Sequence, residues 1–205
     1  MKSNYRPISL LPLLSKIFEK IIQFQLSNYF ELKLSKKICG FRKKHSTQHT
    51  IFQLIRNLQD WLDDGKYVGM VLMDLSKAYD CIPYDLLLAK LKAYGIDKKS
   101  IKLLRSYLLG RRQRVKLNSE YSSFVDIDRG IPQGSILGPL LFNIFLNDLL
   151  LDFKLTEICN FADDNSLYKG EKNLELLKNL LTEGIKEVLE WFKYNSMVAN
   201  PEKSI

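Results

Sequence analysis

The chain has 205 residues, 46% of them apolar and 26% charged, and 31 Lys and Arg against 23 Asp and Glu give a net charge of +8. That length suits one domain of moderate size, or a domain with a lobe, and the ordinary apolar content excludes a disordered or low-complexity chain. Cys39, Cys81 and Cys159 are too few and too far apart for a disulfide framework or a C-x-x-C metal site, so reduced, intracellular thiols are expected.

In chain order, Met1 to Leu14 puts basic residues before a short apolar patch, but Pro12 divides it and no small-residue cleavage site follows, so it does not read as a signal peptide. Ile17, Phe18, Ile21, Ile22, Leu26, Tyr29 and Phe30 recur at helical spacing, as do Ile51, Leu54, Ile55, Leu58, Trp61 and Leu62. After Asp63-Asp64-Gly65, KYVGMVLMD reads as a strand buried on both faces, with Asp74 at its exit. Pro83 is placed to open a helix that Gly95 caps, and another runs from about Lys98 to Leu109 before Gly110. RQRVKL and SFVDID, joined by a polar loop, read as one hairpin. The loop RGIPQG leads into an apolar helix from about Ile136, which Gly138, Pro139, Asn143, Asn147 and Asp148 disqualify as a bilayer span. A strand pair around CNFADDNSLY and an amphipathic helix from about Asn173 to Tyr194 complete the pattern.

Charge is segregated. Residues 1 to 60 hold 11 basic and 3 acidic residues, residues 61 to 205 hold 20 of each, and Lys90 to Lys116 has 10 basic residues against Asp97 alone. A surface that tracks phosphates beside a separate carboxylate site has this distribution; so do solvated helix faces. In CNFADDNSLY, Asp163 and Asp164 fall at the tip of the expected hairpin, where acidic residues suit a turn and need no function. Asp74 at the end of a neighbouring strand would converge with them. Clustered carboxylates need a cation between them, and hard oxygen ligands on rigid strands suit Mg²⁺, two ions of which serve in-line attack on a phosphate. His45 and His49 are four apart but have no third ligand, so a place at a helix N-terminus is expected before zinc.

The blocks NYRPISLLPLLSKIFEKII, GFRKKHST, MDLSKAYD, SYLLGRRQRV, GIPQGSILGPLLFNIFLNDL, FADDNSLY and WFKYNSMVANPEKS, in this order, resemble the reverse transcriptases of non-LTR retrotransposons, relatives of group II intron maturases. The resemblance covers nearly the whole chain. It implies an α+β right-hand polymerase palm on a ferredoxin-like β-α-β-β-α-β core. A mainly helical fingers lobe is drawn from residues 1–60 and part of 86–130, with the palm in 61–85 and 131–205. It also implies an RNA-directed DNA polymerase that adds dNTPs to a DNA primer on an RNA template with two Mg²⁺ ions, Mn²⁺ being a substitute.

By the same resemblance, Asp74, Asp163 and Asp164 are the catalytic carboxylates and, with the Leu75 carbonyl, the metal ligands. Tyr79, where Phe is commoner, is the gate against a 2′-hydroxyl, and Gln133 and Gly134 touch the incoming nucleotide and template. Arg6, Lys16 and Arg42 match basic positions that bind the triphosphate, Lys203 the lysine that protonates pyrophosphate, and Arg112 and Gln113 the contacts to template or primer. Phe161 replaces the commoner Tyr of the Y-A-D-D tetrad, and Tyr84 stands where many relatives have His. Relatives continue into a last palm strand, a primer grip and a thumb, and many carry an endonuclease, so this chain is expected to be part of a longer polypeptide. The location implied is intracellular, nuclear for the full element protein, with no membrane partner. A catalytically silent remnant that keeps only the nucleic-acid-binding surface is the competing reading.

Overall fold

The computed structural model describes residues 8–200. Two helices open it, α1 (Leu13–Phe30) and α2 (Thr47–Asp63), followed by strand β1 (Tyr67–Met73) and a single turn, α3 (Ala78–Cys81). Helices α4 (Tyr84–Ala93) and α5 (Lys98–Leu108) pack on each other. Pro83 precedes the first as expected, and the Asp97 carboxylate starts the second by accepting from the Lys99 and Ser100 amides.

The strands β2 (Arg111–Gln113), β3 (Lys116–Leu117), β4 (Glu120–Tyr121) and β5 (Val125–Ile127) replace the single hairpin expected from the sequence. β2 pairs with β5 and β3 with β4, and the ladder is interrupted around Arg114 and Phe124. Helix α6 (Gly138–Asp152) then runs through the interior, with residues 140–150 buried apart from the half-buried Asp148. A helix apolar on every side has no solvent face to offer, which is why its pattern lacks amphipathic spacing.

The central sheet is antiparallel in the order β1-β7-β6, with β6 (Glu157–Phe161) and β7 (Asp164–Glu171) forming the hairpin around the acidic pair. Helix α7 (Leu174–Tyr194), capped by the Asn173 side chain, covers one face and sets Leu177 and Leu181 against Gly69 of β1. On the other face α2 places the Trp61 indole where a side chain at Gly170 would stand. That cover is partial, so the expectation of a doubly buried β1 is corrected: Met70 is 43% and Leu72 41% exposed.

After α7 the chain returns to β1. Leu75 bridges Ala199, the Ser76 amide donates to the Val198 carbonyl at 2.9 Å, and the Asn200 amide donates to the Asp74 carbonyl at 2.8 Å. This isolated bridge lays residues 198–200 beside the exit of β1, next to the three-stranded sheet. Lys90 joins α4, α6 and α7. Its ammonium lies 4.3 Å over Phe145 and 4.6 Å over Trp191 and pairs with Asp148 at 2.6 Å, while burial lowers its pKa against the pull of that carboxylate. Among the described residues no helix is long and apolar enough to cross a membrane.

Candidate active site

Antiparallel register brings the acidic residues to one end of the sheet. Met73 pairs with Asn165, so Asp74 leaves β1 beside the turn that carries Asp163 and the first residue of β7, Asp164. Asp163 is half-buried and Asp164 exposed. The Asn200 amide side chain donates to Asp74 Oδ2 at 3.2 Å and steadies that carboxylate. Both hydrogen bonds of the Leu75–Ala199 bridge are made by the flanking residues, so the Leu75 carbonyl turns away from Ala199.

The turn is held by buried amides. Ala162 and Asp163 form a two-residue loop in which Ala162 takes φ 59°, a place that suits glycine and costs an L-residue about 1 kcal/mol. Asn160 Nδ2 offsets this by donating to the Ala162 carbonyl at 2.8 Å and to Asn165 Oδ1 at 3.0 Å. From behind, Ile38 bridges Asn160, and the Cys39 amide donates to the Asn160 carbonyl. Asn143 of α6 then donates to the Gly40 carbonyl at 2.8 Å. Gly40 lies so close that a Cβ there would come within 2.4 Å of the Ala162 amide nitrogen. The obstacle is backbone and cannot swing aside. Gly40→Ala is accordingly expected to cost about 1–3 kcal/mol in thermal melts. Because the displaced backbone is that of the turn, the substitution is also expected to shift Asp163 relative to Asp74.

Tyr79 of α3 stacks on Phe142 with ring centroids 4.7 Å apart and meets Phe41 edge-on. Its buried hydroxyl has no partner among the described residues, and its pKa is raised first by burial and then by the Asp163 charge, which places the phenol near that carboxylate. The Gly130 and Ile131 amides donate to the Ile82 and Tyr79 carbonyls at 2.8 Å, joining the Tyr79 turn to the loop that carries Gln133. Gln133 Nε2 donates to the Asp80 carboxylate at 3.3 Å, and its carbonyl accepts from the Ser9 amide at 2.9 Å. Gly134 adopts φ 101°, which favours glycine. A cleft of about 350 Å³ beside it is lined by Gln133, Asp80, Lys77, Arg111 and Gln113.

One buried acid fastens this loop to α1. Glu19, 0% exposed, accepts from the Tyr107 hydroxyl at 2.7 Å, the Ser135 hydroxyl at 3.0 Å and the Ile136 amide at 2.7 Å. Lys16, one turn earlier, is exposed.

The model of the family described as reverse transcriptase (RNA-dependent DNA polymerase) matches residues 1–205. The chain belongs to the reverse transcriptase family. Among curated relatives it is 32% identical to the probable RNA-directed DNA polymerase from transposon BS of Drosophila melanogaster, over 98% of this chain and 23% of that protein. It is 28% identical to the polymerase of the mobile element jockey of the same organism, over 98% of this chain and 23% of that protein. It is also 26% identical to the Pol polyprotein of retrotransposable element R2 of Popillia japonica, over 99% and 29%. The chain thus spans less than a third of these relatives. Telomerase from Candida tropicalis, in complex with a fragment of telomeric RNA, superposes with a TM-score of 0.66 at 18% identity, covering 94% of this chain and 33% of that one. At that identity the likeness concerns the fold, here the polymerase palm and fingers.

Some of the residues expected at the site prove to have other partners. Arg42 is committed elsewhere: its side chain is 10% exposed, and its guanidinium donates to the Glu31, Ser35 and Ile38 carbonyls and pairs with Glu31. These bonds tie the loop to the end of α1. Arg112 and Gln113 are exposed neighbours on opposite faces of β2. Arg6 and Lys203 lie outside the described residues. His45 precedes α2, and His49, in its first turn, is 3.0 Å from the Ser46 hydroxyl.

Among the described residues no group of three or more His, Cys, Asp and Glu side chains could hold a metal ion. The donors at this end of the sheet are hard carboxylate and carbonyl oxygens, which fit Mg²⁺. That ion keeps several waters and completes its shell with substrate phosphates rather than with an all-protein cage.

Proposed function

We propose that this chain is the fingers and palm of an RNA-directed DNA polymerase that transfers dNTPs to a primer 3′-hydroxyl on an RNA template. The observation that carries this reading is the delivery of Asp74 and the Asp163 turn to one end of the sheet within a chain of this family. Asp74, Asp163 and the Leu75 carbonyl would hold two Mg²⁺ ions, with Mn²⁺ as a substitute and Asp164 as a weaker, outer partner. When bound, these ions activate the hydroxyl and stabilise charge on the triphosphate. The fingers are placed in residues 1–60 and part of 86–130 and the palm in 61–85 and 131–205, although α2 packs on the sheet across the first of these boundaries. As in the longer relatives, the chain would work within a larger polypeptide.

The protein's own part is positioning. Gln133 and Gly134 form the loop for the incoming nucleotide, and Lys16 supplies an exposed cation on the helix that Glu19 locks to that loop. Arg6 and Lys203 keep their proposed roles with the triphosphate and the departing pyrophosphate. The Tyr79 ring, held between Phe142 and Phe41, would exclude a 2′-hydroxyl. Tyr79→Val is expected to lower discrimination against ribonucleotides by about tenfold or more while leaving deoxynucleotide use measurable, because removing the ring only opens space. Unchanged sugar choice in primer extension would remove Tyr79 from this role. The reading as a whole is tested by templated dNTP incorporation on an RNA template, with chelation and Asp163→Asn as controls. Incorporation insensitive to both would overturn it.

A further inference from the structure

Lys116 stands opposite Tyr121 in register, and where the ladder is interrupted Arg114 and Phe124 join Arg112 and this pair in one run of cation–ring contacts along the β2–β5 hairpin. Arg112 lies 5.3 Å from the Phe124 ring centroid, and Arg114 4.8 Å from Phe124 and 4.0 Å from Tyr121. Lys116 lies 5.4 Å from Tyr121, so cation and ring alternate along the hairpin. Both rings are open to solvent, Tyr121 at 50% and Phe124 at 54%. Among the described residues none of the three cations is in an ion pair, whereas Arg42, Arg105 and Arg129 are. Arg112 stands opposite Asp126 in register, and the cleft that holds Gln133 is lined from this hairpin by Asp126 together with Arg111, Gln113 and Ile127 of the other face, so the edge of the hairpin borders the cleft.

We propose that this face is a stacking platform for single-stranded RNA, with Tyr121 and Phe124 taking bases and Arg112, Arg114 and Lys116 the phosphates between them. The inference rests on the reading that the chain copies RNA, and it adds a binding surface to that reading. Charge selects a polyanion, since three cations that make no ion pair among the described residues stand in a row. The rings select single strands, because a base pairs its π-face with an aromatic side chain only when it is free of its own stack. A guanidinium resting on a ring has its plane fixed while its N–H edge stays available to a phosphate.

The test is fluorescence anisotropy of labelled oligouridylate, free and annealed to its complement, with the chain carrying Asp163→Asn and without divalent metal. Tyr121→Leu with Phe124→Leu is expected to weaken single-strand binding by roughly tenfold or more and leave the salt dependence unchanged. Arg114→Gln should weaken binding and lower the log–log salt slope by about 0.7. Tyr121→Phe and Phe124→Tyr, which keep the rings, should bind as the parent does. Full binding by the leucine variants, with circular dichroism unchanged, would show that the rings only pack the hairpin. An equal loss on the duplex would show a general electrostatic surface, and either result overturns the platform. Should the leucine pair fail to fold, an unchanged slope for Arg114→Gln overturns it instead. Primer extension separates this proposal from the polymerase reading. Full binding by the variants beside Asp163-dependent incorporation sinks the platform alone, and lost binding beside Asp163-independent incorporation sinks the polymerase alone.

Discussion

Asp163→Asn is expected to lower the rate of templated dNTP incorporation by about three orders of magnitude, the upper range for removing one preorganised electrostatic stabiliser. Asparagine has the same shape, and the bonds that hold the turn run through the Ala162 and Asp163 carbonyls to Asn160 and Asn165, so the backbone should keep its place. What changes is the charge beside the Tyr79 hydroxyl and the anionic oxygens offered to a divalent ion. The melting temperature should therefore hold or rise slightly, since one member of an acidic group has been neutralised. Asp164→Asn is the internal comparison. That residue is exposed and opens β7, and its substitution should cost far less, about tenfold. Single-turnover extension of a DNA primer on an RNA template in Mg²⁺ measures both. Equal losses would take Asp163 out of its special place, and no incorporation by any form, within the full reading frame included, would favour a silent remnant.

Glu19→Ala is expected to destabilise the fold by about 3–5 kcal/mol, a large share of the 5–15 kcal/mol that holds a domain together. The carboxylate takes three donors in a site closed to water. Alanine would leave the Ile136 amide and the Tyr107 hydroxyl without it, and Tyr107 would keep only its 3.2 Å contact with Ser135. At roughly 2–4 °C per kcal/mol for a chain of this size, the melting temperature should fall by about 10 °C. Glu19→Gln should cost about 1 kcal/mol or less. Its oxygen can serve Ser135 and the Ile136 amide while its nitrogen donates to the Tyr107 oxygen, which can turn its own proton away. Thermal melts of the two variants decide the matter. A glutamine as damaging as alanine would mean that charge, and not hydrogen-bond count, holds the loop.

Much of this protein is legible in the order of its residues. Local spacing determines the helices, because i, i+3, i+4 repeats report a single buried face, and α1, α2, α4, α5 and α7 stand close to where those repeats place them. The acidic pair at a hairpin tip and Asp74 at a strand exit are also local facts, set by turn chemistry and strand length, and the motifs around them identify the family. Whatever depends on which surfaces meet is settled only by the tertiary structure. KYVGMVLMD has the composition of a strand buried twice, yet one of its faces is half open because α2 covers only the end near Val68. Arg42 has the sequence position of a phosphate ligand, and the approach of Glu31, Ser35 and Ile38 turns it into a brace.

The supports of the acidic turn are hidden in the sequence for the same reason. Asn143 and Asn147 interrupt an apolar helix four residues apart, which signals a shared face, and Glu19 interrupts another. A polar side chain in an apolar stripe announces a buried partner without naming it. The partners lie far along the chain: Asn143 meets Gly40, Asn147 meets Ser35, and Glu19 meets Ser135 and Ile136. Sequence determines that such groups must be satisfied, since leaving one bare in the interior costs on the order of 1–3 kcal/mol. Which backbone satisfies them is decided when α6 enters the core and the loop of residues 33–40 closes over it, and that closure holds the Asp163 turn in place.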